Sequence, residues 1–419
     1  MGTRSLARDA ELLSVEEARR RLFEKFSLPL RRTRIPVEEA LGRVLAEDVV
    51  APFDRPRYDE AFYDGYALRS EDTAGATEER PARLKIVGSM STLDEPSSMK
   101  LAEGQAAYVP CGAPLPLGAD AVLRLEEAAV DGGELIVTRK LKPMESVIRR
   151  ATDFGRGEVL LRRGRVLRPQ DLCLLMEIGA SEVEVLERPR AVLVPVGSDL
   201  TERARRGVRF PDNYARMVAL FLELLGVSTR VSPPIPDEPK LVEGAIEESL
   251  LEADLVLAVG GVSVSREDVV PSVVREMGEI VFHGVAVSPG KVSGFAVIRD
   301  KPLFMVPAHV GSTMACLLLF VAPAISSALT GNDDPYVVVS ARLTRDARGR
   351  ADRAALKFFA LEREGSEINA RPVEGPLGGS PLITMLTKSS GFAVIGPGEA
   401  KRAGELIEAR LLPYTLMYA

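Results

Sequence analysis

The chain has 419 residues, 46% of them apolar and 27% charged, which is enough for roughly two to four packed domains and is not the composition of a disordered chain. A net charge of −6 argues against nucleic acid as the main partner. Cys111, Cys173 and Cys316 lie far apart, giving neither a disulfide framework nor a CxxC zinc site. The charged opening stretch has no apolar core of a signal peptide, so the expectation is a cytoplasmic protein with no membrane span. Asn and Gln together number five, and arginine outnumbers lysine, which fits a thermophile.

In chain order, Ser14 and Glu17 form a capping-box pattern ahead of a helix over 14–27. Residues 36–50 read as a second helix turning into a strand. From 51 to 153, short β-branched runs alternate with Pro and Gly, the texture of a small all-β unit. A helix is expected at 169–178. From 188 onward, apolar strands alternate with helices: a strand from Pro189, a helix over DNYARMVALFLELLG closed by Gly226, then strand, helix, strand (DLVLAVGG) and helix. Almost wholly apolar strands in this alternation indicate a doubly wound parallel α/β domain covered on both faces. The run Met314–Thr330 is apolar, but it is short for a membrane span and contains Pro323, so it reads as a buried core helix. From 335 the texture is again strand and turn, a separate C-terminal β-domain.

In an open parallel sheet, ligands bind beyond the carboxyl ends of the strands. Four loops there could carry chemistry. Gly260-Gly261-Val262-Ser263 permits close backbone approach before a helix whose amides suit an anion; Ser265 with Asp268 also makes an ordinary cap. Ser288-Pro289-Gly290-Lys291 presents a lysine on a tight turn. Pro307 to Thr313 opens the apolar helix, where Ser312 either holds an anion or caps the helix, and His309 is a candidate ligand or acid. Gly197-Ser198-Asp199 places a carboxylate at a strand end. Outside this domain, Asp59, Glu60 and Asp64 stand among aromatics and could hold a hard cation such as Mg²⁺, although Asp64-Gly65 is also a turn signal.

The order of these motifs resembles the molybdopterin molybdenumtransferase family, which includes the E domain of gephyrin. The resemblance rests on DGYA at Asp64–Ala67, GAPLPLGADAV at Gly112–Val122, GGVSV at Gly260–Val264 and FHGVAVSPGK at Phe282–Lys291. It implies an elongated N-terminal domain from residues 1–46 and 154–187, an inserted β-domain at 47–153, a molybdopterin-binding α/β domain at 188–330 and a C-terminal β-barrel at 331–419. It implies a homodimer whose cleft draws on both subunits, and a reaction in which molybdate is inserted into adenylylated molybdopterin with release of AMP, assisted by Mg²⁺. A molybdopterin-adenylylating protein is a candidate partner. By motif, Asp64, Asp153, Asp237 and Asp268 take the catalytic positions. Asp199, Gly260, Gly261, Ser263, Lys291 and Ser312 take the cofactor-binding ones, and Asp59, Asp64 and Asp268 the metal ones. The departures are many: Thr152 replaces Glu before Asp153, Cys111 replaces Thr, Ser288 replaces a lysine, and Pro307-Ala308-His309-Val310 replaces Pro-Gly-Asn-Pro. The rival reading is a non-catalytic pterin- or oxyanion-binding paralogue with the same fold and dimer.

Overall fold

A computed structural model describes residues 12–263, 269–375 and 382–413, and these form two units. The first comprises the N-terminal stretch to Ile35, Gly42–Ala46 and everything from Glu184 onward. The second comprises Pro36–Leu41 and Glu47–Val183.

Helix α1 (Val15–Lys25) belongs to the first unit. The Ser14 hydroxyl accepts the Glu17 amide at 3.1 Å, which satisfies one of the helix's free N-terminal amides. The return half of the box is not made, because the Glu17 carboxylate is turned to Arg20 and Arg21. Ala18 and Leu22, on one stripe of α1, are fully buried.

The second unit is built on a six-stranded sheet in the order Ala121–Arg124, Gly65–Leu68, Gln105–Val109, Ala82–Ser89, Glu134–Val137, Ala129–Asp131. Leu68, Leu84, Leu123 and Leu135 fill its core. Helix α2 (Pro169–Glu177) falls where periodicity placed it. The helix expected within 36–50 does not form. Only a 3-10 turn, Val37–Glu39, appears, because the chain turns at Gly42 with φ +72. An apolar-periodic stretch that short cannot offset helix nucleation without packing along its whole length.

In the first unit, α3 (Ser198–Arg205), α4 (Asn213–Leu224), α5 (Pro239–Glu252), α6 (Val270–Met277), α7 (Val310–Cys316) and α8 (Ala322–Thr330) surround a second six-stranded sheet. Its order is Ser228–Val231, Arg190–Pro195, Leu255–Val259, Lys301–Val306, Gly294–Ile298, Glu279–His283. The first four strands are parallel, Gly294–Ile298 runs antiparallel to them, and Glu279–His283, antiparallel to that strand, runs in the same direction as the first four. Two core clusters, one holding residues of α1, α4, α7 and α8 and the other residues of α5 and α6, cover opposite faces, so the domain is doubly wound. The strand Gly294–Ile298 escaped the sequence reading because its short run sits between a turn and the next strand without a helix to set it apart.

The apolar stretch Val310–Thr330 is long and apolar enough to cross a membrane by composition, yet most of it is buried inside the fold. Pro323 explains its shape. Proline cannot donate to Leu319, and a π turn over Leu317–Val321 sends the Ala322 amide to Leu317. The carbonyls of Leu318 and Leu319 are thereby freed. Tyr336 Oη donates to the first at 2.8 Å and Arg19 Nη1 to the second at 3.2 Å, so no carbonyl is orphaned at the kink.

The C-terminal strands Val338–Leu343, Ala354–Glu364, Glu367–Val373, Gly391–Ile395 and Leu406–Leu411 close into a five-stranded barrel, since Ala354–Glu364 pairs with both Glu367–Val373 and Gly391–Ile395. Leu343, Phe359, Ile407 and small alanines fill it.

Candidate functional site

The carboxyl ends of the strands Arg190–Pro195, Leu255–Val259 and Lys301–Val306 frame a cleft of about 440 Å³. Its floor is made by close backbone approaches. Gly260 donates to Val306 O at 3.0 Å and has φ +92, and a Cβ there would stand 2.3 Å from Val196 O. Gly261 has φ +61, and its Cβ would meet Val196 Cγ1 at 2.9 Å. Both positions need glycine, the first more strictly because the obstacle is backbone. His283 Nε2 lies 2.7 Å from Val262 O and braces the same loop.

Asp237 and Ser198 lock the opposite wall. Asp237 Oδ2 accepts the Ser198 amide at 2.7 Å, and the Asp237 amide donates to Ser198 Oγ at 3.1 Å. Asp237 therefore does not cap its own helix α5. It caps α3 instead, and its Oδ1 lies 3.4 Å from where a Gly261 Cβ would be. Asp199, in the first turn of α3, lines the same space.

Four of the expected residues thus meet in one cleft: Asp199, Asp237, Gly260 and Gly261. Ser263 and Lys291 are not among its lining residues. Lys291 is exposed on the turn after Gly290, whose own Cβ would press on Ala315 at 2.9 Å. Ser312 lies inside the first turn of α7 and is not its cap; His309 holds the cap position without a side-chain bond, and Thr313 Oγ1 donates to Pro307 O at 2.6 Å. Asp268 lies outside the described residues.

In the second unit, Asp64 Oδ1 accepts the Cys111 amide at 2.8 Å, and Asp59 Oδ1 accepts the Arg150 amide at 2.8 Å. Asp153 is exposed close by in sequence to Arg150. Gly65 is demanded not by a turn but by crowding: a Cβ would lie 2.1 Å from Leu123 O on the neighbouring strand. Among the described residues, no three His, Cys, Asp or Glu side chains converge as a metal cage. Asp59 and Asp64 each keep one carboxylate oxygen free of the bonds above, which suits a cation carried mainly by water and substrate oxygens rather than one enclosed by protein.

Residues 13–179 match the model of the MoeA N-terminal region (domain I and II), and residues 193–327, which contain the cleft, match that of a probable molybdopterin binding domain. A molybdopterin molybdenumtransferase of Synechococcus elongatus is 30% identical over 93% of this chain and 97% of its own length. The chain belongs to the molybdopterin molybdenumtransferase family. A putative molybdopterin biosynthesis protein of Methanocaldococcus jannaschii is 28% identical over 96% of this chain and 98% of its own. The crystal structure of a MoeA protein from Pyrococcus horikoshii OT3 superposes with a TM-score of 0.83 at 27% identity, covering 96% of this chain and all of that one.

The cleft also contains residues that motif matching did not single out. Arg203 of α3, and Asp212, Asn213 and Tyr214 at the start of α4, all line it. Asp212 was visible in the sequence only as the residue before a helix. Arg203 was hidden in the run Arg203 to Arg209, which reads as a solvated charged stretch.

Proposed function

We infer that the chain acts in molybdenum cofactor biosynthesis, from its membership of the family. We propose that it catalyses the insertion of molybdate into adenylylated molybdopterin with release of AMP. The observation that carries this reading is the cleft itself. Two glycines with positive φ let its floor pack closely against Val196 at the strand ends, and a guanidinium without an ion-pair partner among the described residues stands on its wall. Cleaving a phosphoanhydride spreads negative charge over phosphoryl oxygens. Donors already fixed in place stabilise that charge without reorganising. Arg203 supplies a cation, and Asp237 keeps the start of α3 in position.

Mg²⁺ belongs to this proposal, with Asp59, Asp64 and Asp268 assigned to it by motif alone. It would supply charge neutralisation at the substrate phosphates. The homodimer, the cytoplasmic location and a preceding adenylylation step by another protein belong to the same proposal. The roles of Asp153, Ser263, Lys291 and Ser312 rest on motif alone.

One observation favours the rival reading, a binding paralogue without catalysis: the Ala308 side chain lies on the cleft wall where the family pattern has glycine. A single assay separates the two. Purified protein is supplied with adenylylated molybdopterin and molybdate, and AMP is measured by chromatography. Molybdate-dependent AMP release at catalytic turnover supports the enzyme; tight pterin binding without AMP release supports the paralogue.

A further inference from the structure

Phe62 and Tyr63 stand on the surface of the second unit at 50% and 36% exposure, immediately before Asp64. Their ring centroids are 4.6 Å apart, with the planes inclined at 60°. Arg124 places its guanidinium carbon 4.2 Å from the centre of the Tyr63 ring. The three side chains make one continuous run of contact, with Phe62 at one end and Arg124 at the other. Single apolar side chains on a surface are ordinary, but a contiguous pair of large aromatic rings is a signal of binding. Neither ring serves the core. The apolar clusters on either side take Ala61, Ala67 and Leu68 from the same segment and leave both rings out.

The backbone beneath the rings is pinned from both sides. The Phe62 amide donates to Ser146 O at 2.9 Å, and the Phe62 carbonyl accepts the Cys111 thiol at 3.2 Å. The Asp64 carbonyl accepts the Leu125 amide at 2.9 Å, and Gly65 pairs in register with Arg124, which sets the arginine beside Tyr63. Tyr63 already contacts a ring and a cation, whereas Phe62 has Tyr63 as its one ring neighbour among the described residues. The half-exposed Phe62 ring is therefore the one left to receive a ligand. Arg124 likewise has no carboxylate partner among the described residues. A fixed aromatic ring next to an unpaired guanidinium suits a ligand that carries a planar ring and a phosphate, since stacking accepts any π-face and guanidinium matches phosphate in two-point geometry. The substrate of the proposed reaction has two planar heteroaromatic rings, a pterin and an adenine, and phosphates between them.

We propose that Phe62, backed by Tyr63, is a stacking platform for a planar heteroaromatic ring of the substrate, with Arg124 holding a phosphate of the same ligand. The platform rests on the proposed function for the identity of its ligand. It gives the segment that carries Asp64 a second task, gripping a ring beside the carboxylate.

The test uses the full chain with four probes: 6-hydroxymethylpterin, its phosphate monoester, adenosine and AMP. The chain has no tryptophan, so quenching of the pterin's own fluorescence reads stacking directly, and calorimetry follows the adenine probes. Each phosphate-bearing probe is expected to bind more tightly than its phosphate-free counterpart. Phe62→Leu keeps an apolar side chain without a π-face and should weaken the ring's binding roughly tenfold, the scale of one base stacked on an aromatic side chain, while Phe62→Tyr retains it. Arg124→Gln should weaken the phosphate-bearing probe roughly tenfold and leave the phosphate-free one unchanged. All three side-chain changes lie on the surface, so thermal melts should match wild type. Dependence on Phe62 for the pterin probes alone assigns the platform to the pterin, and for the adenine probes alone to the adenine; either result supports it. Wild-type protein that binds none of the four, or a Phe62→Leu protein that binds them as wild type does, overturns it. A Phe62→Leu protein with a changed sedimenting mass and unchanged probe binding makes the patch a contact between chains and overturns it too. In the AMP-release assay, an unaltered KM in Phe62→Leu and Arg124→Gln would sink the platform and leave the proposed reaction intact. Phe62-dependent ring binding without turnover would sink the reaction and leave the platform.

Discussion

Replacing Gly260 by alanine is expected to damage the protein far more than the same change at its neighbour Gly261 or at Gly226. All three have positive φ, of +92, +61 and +79. Placing a Cβ in this region costs about 1–2 kcal/mol in itself. At Gly226 there is nothing within 4 Å of the new atom, so Gly226→Ala should cost about 1 kcal/mol. At Gly261 the obstacle is the Val196 side chain at 2.9 Å, which can rotate, and the expected cost is about 2 kcal/mol. At Gly260 the obstacle is a backbone oxygen at 2.3 Å. The two must part by about 1 Å to reach ordinary C···O contact distances. Parting them pulls on the bonds Val196 N–Val259 O, 2.8 Å, and Gly260 N–Val306 O, 3.0 Å, which hold the strand ends together. Two such bonds at about 1 kcal/mol each bring the total to about 3–4 kcal/mol. The chain has no tryptophan, so urea unfolding followed by far-UV circular dichroism is the suitable assay, with the midpoint compared at constant slope. A Gly260→Ala protein within 1 kcal/mol of Gly226→Ala would refute the crowding argument and the close-approach reading of the cleft floor.

Asp254 is 2% exposed and receives Arg31 at 2.8 and 3.1 Å and the Arg190 amide at 2.9 Å, which together hold its carboxyl below the ordinary range despite burial. Arg31→Ala removes the two closest side-chain donors from the buried charge, leaving it the Arg190 amide and, at 3.8 Å, the Arg190 guanidinium, and should cost about 2 kcal/mol, more than Asp254→Asn at about 1, because the released Arg31 can reach water. Because the folded pKa is depressed, this stabilisation is complete above the unfolded carboxyl value near 4 and fades as pH falls below it; denaturation midpoints of wild type and Arg31→Ala should therefore converge in acid. Asp64→Asn retains an acceptor for the Cys111 amide, so its unfolding midpoint should match wild type while AMP release falls by roughly a hundredfold; equal turnover, or turnover indifferent to chelation of divalent ions, would remove Asp64 from the reaction. Sedimentation at micromolar concentration should give twice the chain mass, and a monomer would dispose of the homodimer.

How far the site could be read from the sequence depended on whether each residue's role is local. Gly260 and Gly261 announced themselves because strand, glycine pair and helix follow one another along the chain. Asp199 and Asp237 were found by motif, but the purpose of Asp237 was not, since it caps a helix about forty positions earlier in the chain and no local pattern encodes that. The parallel core was legible from wholly apolar strands and a C-terminal β-domain from its alternation of strand and turn, while its closure into a barrel followed only from the family resemblance. The helix expected in 36–50 failed because periodicity says nothing about whether a short segment finds a surface to pack on. Arg203 and Asp212 were missed for a related reason. Each has an adequate local explanation, a charged surface run and a helix cap, and only the folded cleft shows that both line it.

The cleft lining bears on the departures from the family pattern. Losing a lysine at Ser288 looks, in sequence, like a weakened anion site. In the structure Ser288 belongs to a two-residue strand, Val287–Ser288, that pairs with Ala354–Ala355 of the barrel, and neither it nor Lys291 lines the cleft among the described residues. The cation that does line it comes from α3, whose surroundings are rich in arginine: Arg205 and Arg206 are spent on Glu202, and Arg209 and Arg216 on Phe210. Among the described residues, Arg203 is left lining the cleft without an ion-pair partner. Guanidinium is also the better choice for a planar, two-point grip on phosphate than the point charge of lysine. The substitution at Ser288 therefore does not by itself argue against a working anion site, because the positive charge of this cleft wall is supplied from α3, on the side where Asp237 and Ser198 fix the helix start.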